Sequence, residues 1–138
     1  MTELADTSAW IVAGRDPEMH DRFRAAVASG EIATCGPVSF ELLYGTRNAV
    51  EFSSARTALD QLRQCPIGPR QWQRALDVYE QLARTGGMHH RAVKHFDLLT
   101  AAAAESAGVT VLHYDADFDE IAAITGQPTR WIAPRGSL

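Results

Sequence analysis

The stretch "GVTVLHYDADFDEIAAITG", Gly108 to Gly126, decides how this chain is built. "VTVLHY" is β-branched and apolar on both faces, the composition of a strand covered on both sides in a parallel sheet. Phe118, Ile121 and Ala122 then fall at helical spacing in "DFDEIAAIT", so the strand feeds directly into a short helix. Between the two stand Asp115, Asp117, Asp119 and Glu120, four acids within six positions at the mouth of a buried strand. Like charge concentrated at such a place requires a partner.

The same strand-then-helix grammar continues in both directions. "TRWIA" reads as a last strand, and "FDLLTAAAAESAG" as an Ala-rich helix closed by Gly108, with Asp97 at its start. Before it, "MHHRAVKH" is a polar, basic connector. Trp72, Ala75, Leu76, Tyr79 and Leu82 line one face of a helix from Arg70 to Thr85, which Gly86 and Gly87 end. Phe52, Ala55, Leu59 and Leu62 do the same between Asn48 and Gln64, and "CPIGP" between these helices allows only a very short strand. "EIATCG" is strand-like, and "GPVSFELLYG" follows as a helix started by Pro37 and Ser39, with Glu41 in or near its first turn. Asp16 and Pro17 open a helix that stops at Gly30, and "TELAD" reads as a strand, then a turn. Strands alternating with helices predict an α/β fold with a mainly parallel sheet and covering helices.

At 138 residues the chain suits a single domain, residues 1–138, so a site must come from one core or a subunit interface. Hydrophobic residues at 46% and charged residues at 22% match globular averages and exclude a disordered or fibrous chain. No apolar run approaches the roughly 18 residues of a membrane span. "MTELADTSAW" lacks the basic and apolar regions of a signal peptide, so a cytoplasmic protein without membrane contact is expected. Cys35 and Cys65 have no metal or disulfide spacing and read as buried thiols. The net charge of −4 has the wrong sign for nucleic-acid binding by a basic surface alone.

Asp6, Glu41, Asp97 and Asp115 share one placement. Asp6 and Asp115 end predicted strands while Glu41 and Asp97 begin helices, so a parallel sheet would bring all four to its carboxyl edge. Carboxylates so gathered raise one another's pKa unless something positive joins them. An all-oxygen anionic cluster suits a hard divalent cation, Mg2+ or Mn2+, with Asp115 reaching the ion and Asp117 beside it. Taken singly, Glu41 or Asp97 could also be an ordinary dipole partner of its helix, and Asp119 and Glu120 read as solvated first-turn acids. An EF-hand loop is excluded, because Glu120 stands where its turn glycine belongs and Gly126 where its bidentate Glu belongs. A phosphatase-type Asp-x-Asp of the haloacid-dehalogenase kind would open the chain rather than lie near its end. His89, His90, His95 and His113 form no zinc spacing, and no phosphate loop or nucleophile elbow is present.

Three segments, "LADTSAW", "VSFELLYG" and "HFDLLTAAAAESAGVTVLHYDADFDEIAAITG", resemble the PIN-domain ribonucleases, and among them the toxins of bacterial VapBC toxin–antitoxin pairs. The resemblance runs through the whole chain in order. It implies a three-layer α/β/α sandwich with a mainly parallel, roughly five-stranded sheet. It further implies that Asp6, Glu41, Asp97 and Asp115 form the catalytic acids, that Asp6, Asp97, Asp115 and Asp117 take part in binding Mg2+ or Mn2+, and that Thr7 or Ser8 orients the first carboxylate. The family often has a hydroxyl residue two positions before its fourth polar site, which is itself often Asn; here those positions hold His113 and Asp115, so the site lacks that hydroxyl and is more acidic than usual.

The implied activity is endonucleolytic hydrolysis of RNA, tRNA or a structured ribosomal loop, which stops translation and growth. Arg91 and Lys94, in the basic run before Asp97, are the candidates for holding RNA. The implied partners are a VapB-type antitoxin covering the acidic pocket and a second copy in a homodimer, with the aromatic helices between Phe52 and Leu82 as the interface. Two readings compete: a PIN-like binding module without catalysis, and a PIN nuclease outside toxin–antitoxin pairs. An incomplete acidic set would favour the module, and every position here holds an acid.

Overall fold

The computed structural model describes residues 1–138. The elements in chain order are β1 (Glu3–Ala5), α1 (Thr7–Arg15), α2 (Pro17–Ala28), β2 (Ile32–Thr34), α3 (Gly36–Tyr44), α4 (Ala49–Asp60) and β3 (Arg63–Gln64). They continue with α5 (Pro69–Arg84), α6 (His89–Ala92), α7 (His95–Ala107), β4 (Thr110–His113), α8 (Asp117–Thr125) and β5 (Thr129–Trp131). The five strands form one sheet in the order β3-β2-β1-β4-β5, and every neighbouring pair is parallel. This is the expected α/β/α sandwich. β4 is interior, flanked by β1 and β5, while β1 holds the centre.

The two faces of the sheet follow from the pleat, which sends alternate side chains to opposite sides. Ala5, Ile32 and Leu112 point toward Ala9, Ala13 and Phe23 of α1 and α2. Leu4, Ala33 and Val111 point the other way, into a larger core with Val38, Val78, Leu82, Leu98, Phe118 and Ile121 from α3, α5, α7 and α8. In α7 every residue from Asp97 to Ala104 is buried, which small side chains at Ala101–Ala104 make possible by letting the helix lie close against its neighbours. Phe118 is fully buried, a burial worth roughly 1.5–3 kcal/mol. Gly108 and Gly126 end α7 and α8 with φ of 70° and 71°, the left-handed conformation only glycine adopts without strain.

Four local expectations are corrected. The residues after Asp6 form a helix rather than a turn, because the Asp6 carboxylate accepts the Ser8 N–H as an N-cap and Ala9, Val12 and Ala13 supply a buried face. The short strand is Arg63–Gln64, ahead of "CPIGP"; Cys65 N–H still bonds Thr34 C=O at 2.8 Å, and Pro66, having no N–H, cannot extend the ladder. The basic connector contains the one-turn helix α6. Glu41 lies in the second turn of α3, which begins at Gly36 because Pro37 occupies its first turn.

Candidate active site

The strand order reverses at β1, whose neighbours β2 and β4 leave it in opposite directions along the sheet. Helices flanking such a switch point diverge to opposite faces and leave a crevice at the carboxyl ends of the strands. Asp6 follows β1 directly, and its N–H bonds Leu112 C=O of β4 at 2.9 Å, so the first acid is pinned at the crevice. Asp115 leaves β4 two residues past His113, its N–H donating to His113 Nδ1 at 3.1 Å. Asp115 Oδ1 in turn accepts the Asp117 N–H at 2.9 Å, a local turn that starts α8 and aims both acids the same way. Asp97 enters from the first turn of α7.

One carboxylate oxygen each from Asp97, Asp115 and Asp117 lies within 4.8 Å of the others, the spacing of a cation site. Lys94, the residue before α7, extends its ammonium into this group, 2.7 Å from Asp115 Oδ2, 3.0 Å from Asp117 Oδ2 and 3.4 Å from Asp97 Oδ2. The Lys94 N–H also donates to Asp117 Oδ2 at 3.1 Å. Asp6 joins through its field, since its charge helps to raise Asp97. Glu41 sits at the margin, raising Asp6 by charge and accepting the Thr7 hydroxyl on Oε1 at 2.8 Å. The two hydroxyls named from sequence therefore divide the work. Ser8 holds Asp6, through its N–H at 3.0 Å and its Oγ at 2.7 Å, while Thr7 holds Glu41.

Protonation follows from burial and charge. Asp6 is raised by burial, partly offset by the Ser8 hydrogen bonds. Burial first, then the adjoining Asp117 and the charge of Asp6, push Asp97 up to about 9. Burial also works to raise Asp117, but its hydrogen bonds, with Asp97 and with Lys94, outweigh it and hold this acid below the usual range. Lys94 is raised: burial opposes its charge, and the hydrogen bonds to Asp115 and Asp117 overcome that. His113, fully buried, is lowered by desolvation; its Nδ1 accepts a backbone N–H, which leaves the proton on Nε2 and makes it a neutral core histidine beside Phe118 and Trp131.

Two buried carboxylate oxygens, Asp6 Oδ1 and Asp97 Oδ2, have no hydrogen-bond partner. Buried oxygens without a partner are unfavourable once their acids ionise, and both atoms belong to the acids expected to meet a divalent ion, so the donor set fits such an ion. The remaining candidates fall outside. Asp119 accepts the Trp131 indole N–H at 3.2 Å, and Glu120 lies 3.6 Å from His89. Arg91 is exposed on α6 and makes no ion pair with the acids. Both cysteines are buried and free, and burial pushes the Cys35 thiol up to about 11. Lys94, expected from sequence to hold RNA, also lies among the acids; its spacing of three residues before Asp97, at a helix start, is the signal for that contact.

Comparison with known proteins agrees with this geometry. The family profile described as PIN domain matches residues 4–124. Ribonuclease VapC18 of Mycobacterium tuberculosis is 46% identical over 138 residues, covering 100% of both chains. Ribonuclease VapC51 of the same organism is 37% identical, covering 98% of this chain and 96% of its own. Among solved structures, VapBC-1 from nontypeable Haemophilus influenzae superimposes with a TM-score of 0.72 at 14% identity, over 96% of this chain and 98% of that one. DNA-bound VapBC from Salmonella typhimurium gives 0.68 at 17% identity, over 96% and 100%. The two structures share the fold; the profile match and the two curated relatives, which align along nearly the whole chain, show that the chain belongs to the PIN-domain family, in its branch of VapC ribonucleases.

Proposed function

We propose that this chain is an endoribonuclease toxin that hydrolyses phosphodiester bonds in RNA with Mg2+ or Mn2+, working as one nuclease domain over its 138 residues. The observation that carries the reading is the meeting of Asp97, Asp115 and Asp117 within 4.8 Å, beside Asp6 and with two orphaned buried oxygens. Asp6, Asp97, Asp115 and Asp117 would hold the ion. When bound, such an ion lowers the pKa of a water and neutralises charge that grows on the phosphoryl oxygens. Ser8 fixes the rotamer of Asp6. Thr7 occupies Glu41 Oε1 and leaves Oε2 to accept a proton from the attacking water. Asp6 and Asp97 are buried on the inner side of the cage, away from bulk water, while Asp115 and Asp117 are half-buried and stay reachable.

RNA would meet the site through local rather than net charge, with Lys94 and the exposed Arg91 on the approach. Phe40, Tyr44 and Phe96, all exposed, join Thr7 and Glu41 around an open cleft of about 390 Å³ at the edge of the acids. A VapB-type antitoxin is the proposed regulator, since the structural relatives are described as VapBC complexes. Val50, Phe52, Trp72 and Leu76 are exposed apolar side chains on α4 and α5, which supports a homodimer through that side. No helix is long and apolar enough to cross a membrane, and the proposed location is the cytoplasm, where RNA and antitoxin are found.

The test is incubation of total cellular RNA with purified antitoxin-free protein, wild type beside Asp97→Asn, with Mg2+, with Mn2+ and with chelator. Discrete fragments from the wild type with metal alone support the reading. Intact RNA under every condition overturns it.

A further inference from the structure

Twelve of the thirteen basic side chains are Arg, and Lys94 is the one lysine in the chain. That single lysine is the cation placed among Asp97, Asp115 and Asp117. An ammonium is a compact charge with three donors, suited to a point between three carboxylates, whereas a planar guanidinium suits one carboxylate edge. In a chain that uses Arg almost everywhere else, the exception coincides with the site where a point charge is needed.

The backbone and the charge of Lys94 are held differently. Its N–H bonds Asp117 and the preceding Val93 is buried, so the main chain is anchored. The side chain is 58% exposed and reaches the acids on a flexible four-carbon stem that can swing into solvent. A divalent ion takes its oxygens at about 2.0–2.2 Å, and it cannot share with an ammonium a space bounded by oxygens within 4.8 Å of one another.

We infer that Lys94 is the built-in counter-ion of the metal site: its ammonium pairs with Asp115 and Asp117, beside Asp97, in the metal-free protein and is displaced into solvent when a divalent cation binds. This rests on the proposed metal-dependent reading and adds to it an internal competitor. The protein then keeps its acidic cage assembled without metal, at the expense of affinity for the ion.

The test is Mn2+ binding by calorimetry to wild type, Lys94→Met and Lys94→Arg, with folding of each checked by circular dichroism. Lys94→Met keeps the stem and the N–H to Asp117 while removing the charge. It should bind Mn2+ at least about tenfold more tightly than wild type, the lower end of what altering a ligand's partner does to metal affinity. Lys94→Arg keeps the charge but not the compact geometry, and should fall between wild type and Lys94→Met. In parallel, wild type labelled with 15N-lysine gives one side-chain ammonium signal, which Mg2+ should move from its ion-paired position to that of a free lysine.

Mn2+ bound equally by wild type and Lys94→Met, or an ammonium signal that Mg2+ does not move, overturns the competition and leaves the metal site standing. No Mn2+ bound by either protein removes the metal site itself and this inference with it. If Lys94→Met does not fold, the ammonium signal of the wild type decides.

Discussion

The Ser8 hydroxyl donates to Asp6 Oδ2 at 2.7 Å while accepting the N–H of Tyr114 at 2.9 Å. One small side chain thus orients the first acid and ties it to the end of β4, from which Asp115 departs. Ser8→Ala should cost 10–100-fold in metal affinity, roughly what loss of a ligand's supporting partner costs. It also orphans the Tyr114 N–H, so stability should fall by about 1–3 kcal/mol. Metal titration and denaturant melts read the two effects separately; wild-type affinity in the variant would count against the orienting role.

Thr7 supports Glu41 as Ser8 supports Asp6, but Glu41 stands at the half-exposed margin. Thr7→Val removes the hydroxyl at nearly constant volume. The expected outcome is RNA cleavage reduced by roughly tenfold, the lower end for a supporting partner, with Mn2+ affinity unchanged because Glu41 lies outside the trio. A matching loss of Mn2+ affinity would place Glu41 on the ion instead.

Asp97→Asn should reduce cleavage by at least about 100-fold, since a ligand is worth no less than its supporting partners. The fold should survive, because the substitution keeps the shape of a buried acid that the folded, metal-free protein already holds protonated near neutral pH. Circular dichroism showing the variant unfolded would contradict this.

The raised pKa of Asp97 fixes a direction with pH. Its ordinary value of 3.8 applies to the unfolded chain and about 9 to the folded one, so the folded protein holds the proton more tightly. Without metal, stability therefore falls as pH rises between those values. Binding a divalent ion near neutral pH requires the carboxylate and should release roughly one proton. Calorimetry in two buffers of different ionisation heat measures it, and identical heats would show Asp97 already ionised. In Asp97→Asn the buffer dependence should shrink.

What the sequence by itself determined is local and periodic. "VTVLHY" followed by "DFDEIAAIT" announces a buried parallel strand feeding a helix, and the position of each acid relative to a strand end or helix start placed Asp6, Asp97 and Asp115 at one sheet edge. These features depend on neighbours a few residues apart, whose spacing and capping chemistry are written in order along the chain.

The tertiary structure decided the rest. Asp6 acts as both strand-end acid and cap, and the helix it starts became legible only with the buried face that α1 presents to Phe23 of α2. The division of hydroxyls pairs Thr7 with Glu41, 34 residues away, and Ser8 with Tyr114, 106 residues away. Lys94 reaches Asp115 and Asp117 across 21 and 23 residues. Such contacts have no period in the sequence: they exist because parallel strands bring distant segments to one edge, and there burial forces each charge and each hydroxyl to find its partner.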